Sequence, residues 1–191
     1  ALVPVLVLLS CAAVGAQARR IVSLVPAVTE MLFAIGAGPA VAAVSSYDDF
    51  PPAVKTLPRV GALIDPDVER ILALRPDLVV SYASQTDLHA QLARASIPVY
   101  TYRHSGISGI LETLRGVGQA TGHRVEADRV EQQIRAQLDA VRARVAGRPR
   151  PRTLLVFERD PMTLRGIFVS GGLGFLHEML EIAGGANVFA D

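Results

Sequence analysis

The chain has 191 residues, with 19 basic against 18 acidic for a formal net charge of +1, and half of its residues are hydrophobic. This near-neutral, apolar-rich composition without low-complexity tracts excludes a disordered chain, and basic residues scattered among acidic neighbours exclude a nucleic-acid-binding stripe. The single cysteine, Cys11, excludes a disulfide framework, so packing alone must hold the fold.

Residues 1–18 read ALVPVLVLLSCAAVGAQA, an apolar run closing on the small-x-small pattern Ala16-Gln17-Ala18. This predicts a signal peptide over 1–18, cleaved after Ala18, and export to the periplasm. Pro4 interrupts the run and it falls short of the roughly 20 apolar residues a spanning helix needs, so no membrane insertion is expected once the signal is removed. Leu8-Leu9-Ser10 before Cys11 also resembles a lipoprotein box, and a lipid anchor on Cys11 is the alternative.

Beyond the signal, short apolar runs alternate with helix-period segments. Strands are predicted at 21–24, 41–45, 78–82, 99–102 and 154–157, apolar enough for a parallel sheet buried on both faces. Helices are predicted at 27–35, closed by Gly36; at 67–74, capped by Asp65 with Pro66 at its first position; at 88–95; and at 107–120. From about 125 to 146 the apolar residues Val130, Ile134, Leu138, Val141 and Val145 recur on one face, with Glu131–Arg135 and Asp139–Arg142 able to pair on the rest. Gly147, Pro149 and Pro151 end this helix, which at 1.5 Å per residue is roughly 33 Å long.

An internal echo organises these elements. IVSLVPAVTEMLFAIGAG near the start and IFVSGGLGFLHEMLEIAGG near the end each lead a β-branched run through a turn into a helix bearing Glu-Met-Leu, with Gly six residues after the Glu. Glu30, Met31, Leu32 and Gly36 thus answer to Glu178, Met179, Leu180 and Gly184. The fold class expected is α/β: two Rossmann-like lobes joined by one long rigid helix, with a cleft between them. The domains expected are 19–121 for the first lobe, 122–148 for the connecting helix, and 149–191 for the start of a second lobe that is incomplete, because little chain follows Glu178.

Motifs for catalysis are weak. Glu30 and Glu178 lack partner carboxylates and read as helix-surface residues; the four histidines lack zinc-type spacing and read as exposed; Gly116 to Gly122 fails as a dinucleotide fingerprint. With no GxSxG elbow or P-loop, no catalytic residue, metal or cofactor is expected. The tyrosines say more: Tyr47, Tyr82, Tyr100 and Tyr102 all fall at or just beyond the carboxyl ends of predicted strands, the edge where open α/β sheets bind ligands.

Three phrases, VPAVTEMLFAIGAG, VSSYDDFPP and DPDVERILALRPDLVVSY, resemble the solute-binding proteins of ABC importers for cobalamin and ferric siderophores, above all the cobalamin branch. The likeness runs from Arg20 to the end of the chain, including VSGG and GGANVFAD. It implies a monomer that captures cobalamin or another metal chelate and delivers it to a permease dimer, without chemistry of its own. It places ligand-binding residues at Tyr47, Leu63, Tyr82 and Phe168, and the chain departs from the pattern at Leu63, where relatives carry Trp. Glu69 matches the acidic residue that docks a permease arginine. The alternative cargo is a ferric siderophore or haem, met by Arg103 and His104 beside Tyr102; a secreted α/β enzyme is the reading from another class.

Overall fold

The computed structural model describes residues 17–190. Cys11 and all of the apolar leader except Gln17 and Ala18 lie outside the described residues; Ala18 is buried in the core.

Four parallel strands form the main sheet in the order β2-β1-β3-β4, namely β1 (Ile21–Ser23), β2 (Val41–Val44), β3 (Leu78–Tyr82) and β4 (Val99–Tyr102). Their side chains alternate between two cores, which is why the strands read as unbroken apolar runs. Ile21, Val44, Leu78 and Val80 face one core, shared with α1 (Pro26–Ala34), α4 (Ile107–Thr121) and α5 (Arg124–Val145). Val22, Ala43 and Val79 face the other, covered by α2 (Val68–Ala73) and α3 (Thr86–Arg94). Helices on both faces of a parallel sheet make this a doubly wound lobe, and its strand order reverses between β1 and β3.

Local sequence sets the helix ends. Pro26 opens α1, its fixed φ and missing N–H suiting a first-turn position. At the other end of α4, Gly122 takes φ +74°, and His123 N–H donates to the Gly118 carbonyl at 2.7 Å, a left-handed stop that a side chain would strain. The cap of α2 differs from expectation. Asp67, not Asp65, accepts the Arg70 N–H at 3.0 Å, because the Asp67 N–H is itself tied to the Val60 carbonyl and the helix begins only at Val68.

Helix α5 is continuous over 22 residues, as the periodicity predicts, but only its first half is well packed. Ala127 and Glu131 are buried, and Val130 and Ile134 pack on the first-lobe core, whereas Val141 is exposed. Glu131 bonds Arg135 at 2.7 Å and also reaches Arg115 of α4 at 3.4 Å; Asp139 and Arg142 pair at 2.7 Å.

Beyond α5 come β5 (Arg152–Thr153), β6 (Val156–Glu158), β7 (Phe168–Val169), α6 (Phe175–Ile182) and β8 (Ala186–Asn187). The strand predicted at 154–157 is not one buried strand. Residues 154–155 belong to no strand and link β5, parallel to β8, to β6, antiparallel to β7, which takes in Val156 and Phe157, and Leu154, Val156 and Phe157 stay largely exposed. Among the described residues these are two-stranded ladders with no layer over both faces, so apolar identity does not bring burial.

Candidate functional site

Parallel strands send every following loop to one edge, and helices α1 to α4 begin there. Tyr82 ends β3 and Tyr102 ends β4, in register with each other. Their rings meet edge to face with centroids 5.8 Å apart. The series continues from Tyr102 to His104 at 6.4 Å and from His104 to Phe175 of α6 at 5.6 Å, both edge to face. The Tyr102 hydroxyl lies 3.3 Å from His104 Nδ1. Four rings therefore run from the first lobe to the helix that follows the long strut.

Burial pushes the Tyr82 hydroxyl above the usual phenol range, aided by Tyr102 and by the carboxylate of Asp48; burial alone raises Tyr102. Both hydroxyls therefore stay neutral at physiological pH; Tyr102 is a buried core residue with its hydroxyl turned to His104, and the half-buried Tyr82 is the more accessible of the two.

The remaining expected residues stand around this group. Tyr47 lies in the loop after β2, two strands along the sheet from β3, and is 75% exposed. Its backbone N–H donates to Ser45 Oγ at 3.1 Å. Leu63 is exposed, and its carbonyl accepts from Gln85 Nε2 at 3.1 Å while Gln85 Oε1 takes the Tyr82 N–H at 3.0 Å. One buried glutamine thus ties Leu63 to Tyr82. Phe168 lies elsewhere, on the β6–β7 ladder opposite Glu158, 63% exposed and, among the described residues, outside the ring series. Glu69 sits exposed in the first turn of α2, at the same edge, with no ion pair among the described residues.

Tyr100 leaves the expected set. It is the second residue of β4, its hydroxyl donates to the Thr113 carbonyl at 3.3 Å, and its ring occupies the space that Gly116 leaves beneath α4. It is a core residue. Two other expectations change. Glu30 is exposed, but Glu178 is not a mere helix-surface group: its Oε2 accepts the Ile107 N–H at the start of α4, at 2.7 Å. Three histidines are half-buried and bonded, His89 to Ser81 Oγ at 2.7 Å, His123 to the Thr121 carbonyl at 2.8 Å, and His177 to Asn187 at 3.2 Å. His104 alone is exposed.

Beneath the edge lies a polar layer that single letters of sequence do not reveal. Ser23, Thr29, Ser45, Asp48 and Ser81 are fully buried. Asp48 Oδ2 accepts the Ser45 N–H at 2.9 Å, Arg59 donates to the Ser45 carbonyl at 2.8 Å, and Asp48 Oδ1 has no hydrogen-bond partner among the described residues. Burial raises the Asp48 carboxyl above the usual carboxylate range, and its polar contacts with Thr29 and Ser45 and the Arg59 charge offset this only in part. Among the described residues no cluster of His, Cys, Asp or Glu is fit to hold a metal, and no helix is long and apolar enough to cross a membrane.

The family profile described as periplasmic binding protein matches residues 21–191. The chain is 34% identical over 190 residues to a protein of Yersinia pseudotuberculosis serotype O:1b (strain IP 31758) named vitamin B12-binding protein, an alignment covering 98% of this chain and 66% of that one. It therefore spans just under two thirds of that relative's length. Among solved structures, the periplasmic vitamin B12 binding protein of Vibrio cholerae superposes with a TM-score of 0.76 at 26% identity, over 92% of this chain and 68% of that one. A periplasmic heme-binding protein from Roseiflexus sp. RS-1, in apo form, gives 0.77 at 31% identity over 92% and 67%.

Proposed function

The chain belongs to the periplasmic binding protein family, and from that premise we propose that it is the extracytoplasmic solute-binding component of an ABC importer, capturing cobalamin or a related corrinoid. Tyr82 and Tyr102 carry the reading. They stand at the carboxyl edge of a parallel sheet, beside the point where strand order reverses; the buried Tyr102 packs on Tyr82, which offers the aromatic face and a neutral hydroxyl. A corrin ring rimmed with amides matches such a surface, broad and apolar on its faces and polar at its edge.

Tyr47, Leu63, Tyr82 and Phe168 are the ligand contacts proposed, the first three on the first lobe and Phe168 on the second. Glu69 is the proposed docking acid for a permease arginine. The protein acts as a periplasmic monomer, exported by its signal peptide, and releases its ligand chemically unchanged. The vitamin B12-binding relative at 34% identity supports this cargo over others.

A second cargo has its own support. The hydroxyl of Tyr102 next to His104 Nδ1, with Arg103 exposed alongside, suits haem or a ferric chelate, in keeping with the heme-binding neighbour at 31% identity. Titrating the full-length protein with cyanocobalamin, haem and a ferric siderophore, read by calorimetry and absorbance, separates the two. Saturable one-to-one binding of cyanocobalamin alone is expected. A shifted haem absorbance with no cyanocobalamin binding would replace the corrinoid reading, and turnover of any probe would favour an enzyme.

A further inference from the structure

Helix α4 begins without a cap of its own. Its N-cap residue is Gly106, which has no side chain to accept the first free N–H groups, and no other first-turn residue of α4 is acidic. The acceptor comes from 71 residues further along the chain: Glu178 Oε2 takes the Ile107 N–H at 2.7 Å. A carboxylate at a helix N-terminus gains both a charge-assisted hydrogen bond and the favourable end of the helix dipole. Gly106 is part of the fit, because a Cβ built on it would overlap the Glu178 carboxylate. One turn before Glu178, Phe175 sets its ring against His104, the residue that continues the Tyr82–Tyr102 pair. Neighbouring carboxylate and guanidinium groups are otherwise engaged: Glu181 bonds Arg150 at 3.0 Å, and Arg135 and Arg142 are paired along α5.

We propose that Glu178 is a positioning residue of the binding cleft, a cap supplied to α4 by the second lobe that fixes how α6 meets the first lobe and so holds Phe175 and His104 as the cleft floor. Its part in ligand binding rests on the solute-binding reading above. Its part in setting the lobes does not.

Three variants of the full-length protein test it. Glu178→Ala removes the acceptor, and Glu178→Gln keeps one without the charge. Gly106→Ala leaves Glu178 intact but blocks its approach; at φ −70° that position accepts any residue, so the contact alone is disturbed. Spin labels at Arg94 and Met162, both exposed and one on each lobe, report the interlobe distance without ligand. Expected are a broadened distance distribution and cyanocobalamin affinity about tenfold weaker for Glu178→Ala and Gly106→Ala, with Glu178→Gln restoring most of both. Distributions identical to the parent in both variants would overturn the proposal. Should the parent bind none of the probes, the solute-binding reading fails while the distance measurement still decides the fate of the cap.

Discussion

Tyr82 and Tyr47 differ in what removing them should do. Tyr82 packs edge to face on Tyr102, so Tyr82→Ala loses a ligand surface together with some core contact, whereas Tyr47 is three-quarters exposed and Tyr47→Ala loses ligand surface almost alone. Each should weaken cyanocobalamin binding by about 1 to 3 kcal/mol, the scale of an apolar side chain covered by a ligand. Calorimetry checks the affinity and thermal unfolding the difference: the midpoint should drop for Tyr82→Ala and stay for Tyr47→Ala. Asp48 makes a pH prediction. Burial raises its folded pKa above the unfolded value, so the folded state binds the extra proton; the penalty of an ionised Asp48 is absent below the ordinary carboxylate range and fully present above the raised pKa. Asp48→Asn should therefore melt at or above the parent at pH 7, with the gap closing as the pH falls towards 4, as measured by thermal unfolding across that range.

Helix α5 is held to the first lobe by a close approach that one methyl would spoil. A Cβ on Gly118 of α4 would overlap the Ala127 methyl of α5, and both positions are buried. Gly118→Ala should destabilise the protein by about 1 to 3 kcal/mol, as overpacking does, in chemical denaturation. Leu138→Ala, on the loosely packed half, should cost less. The same contrast explains what was legible beforehand. Strands such as LVVSY at 78–82 are buried on both faces and announce themselves as apolar runs, and 22 residues of steady period gave α5 almost to the residue. The region 154–157 is just as apolar but gains no second face, and periodicity carries no information about neighbours. Asp65 and Asp67 flank the same proline, and only the backbone bond from Asp67 to Val60 decides which one caps α2. Buried polar residues such as Asp48 and Gln85, and a cap arriving from 71 residues away, leave no local signature at all.

At the scale of the molecule, an unbroken α5 predicts that ligand capture moves the lobes little, since bending a helix strains its ladder of hydrogen bonds. Scattering profiles of free and cyanocobalamin-saturated full-length protein should nearly superimpose, and marked compaction would contradict the strut. Glu69 adds a test of transport. It is exposed at the edge that bears the aromatic rings and is the docking acid proposed for a permease arginine, so Glu69→Arg should leave cyanocobalamin affinity unchanged and slow uptake by the reconstituted importer more than Glu69→Ala does. Unimpaired uptake by both would remove it from the docking surface.

The bond between Ile107 and Glu178 also makes one lobe depend on the other. The four-stranded sheet closes through contacts among residues 21–121, but the first turn of α4 has no acceptor of its own until α6 exists. The corner of the first lobe nearest the rings is therefore completed by a residue from outside that lobe. A first lobe standing alone would keep its sheet but leave the Ile107 N–H to solvent, so the finished mouth belongs to both lobes together.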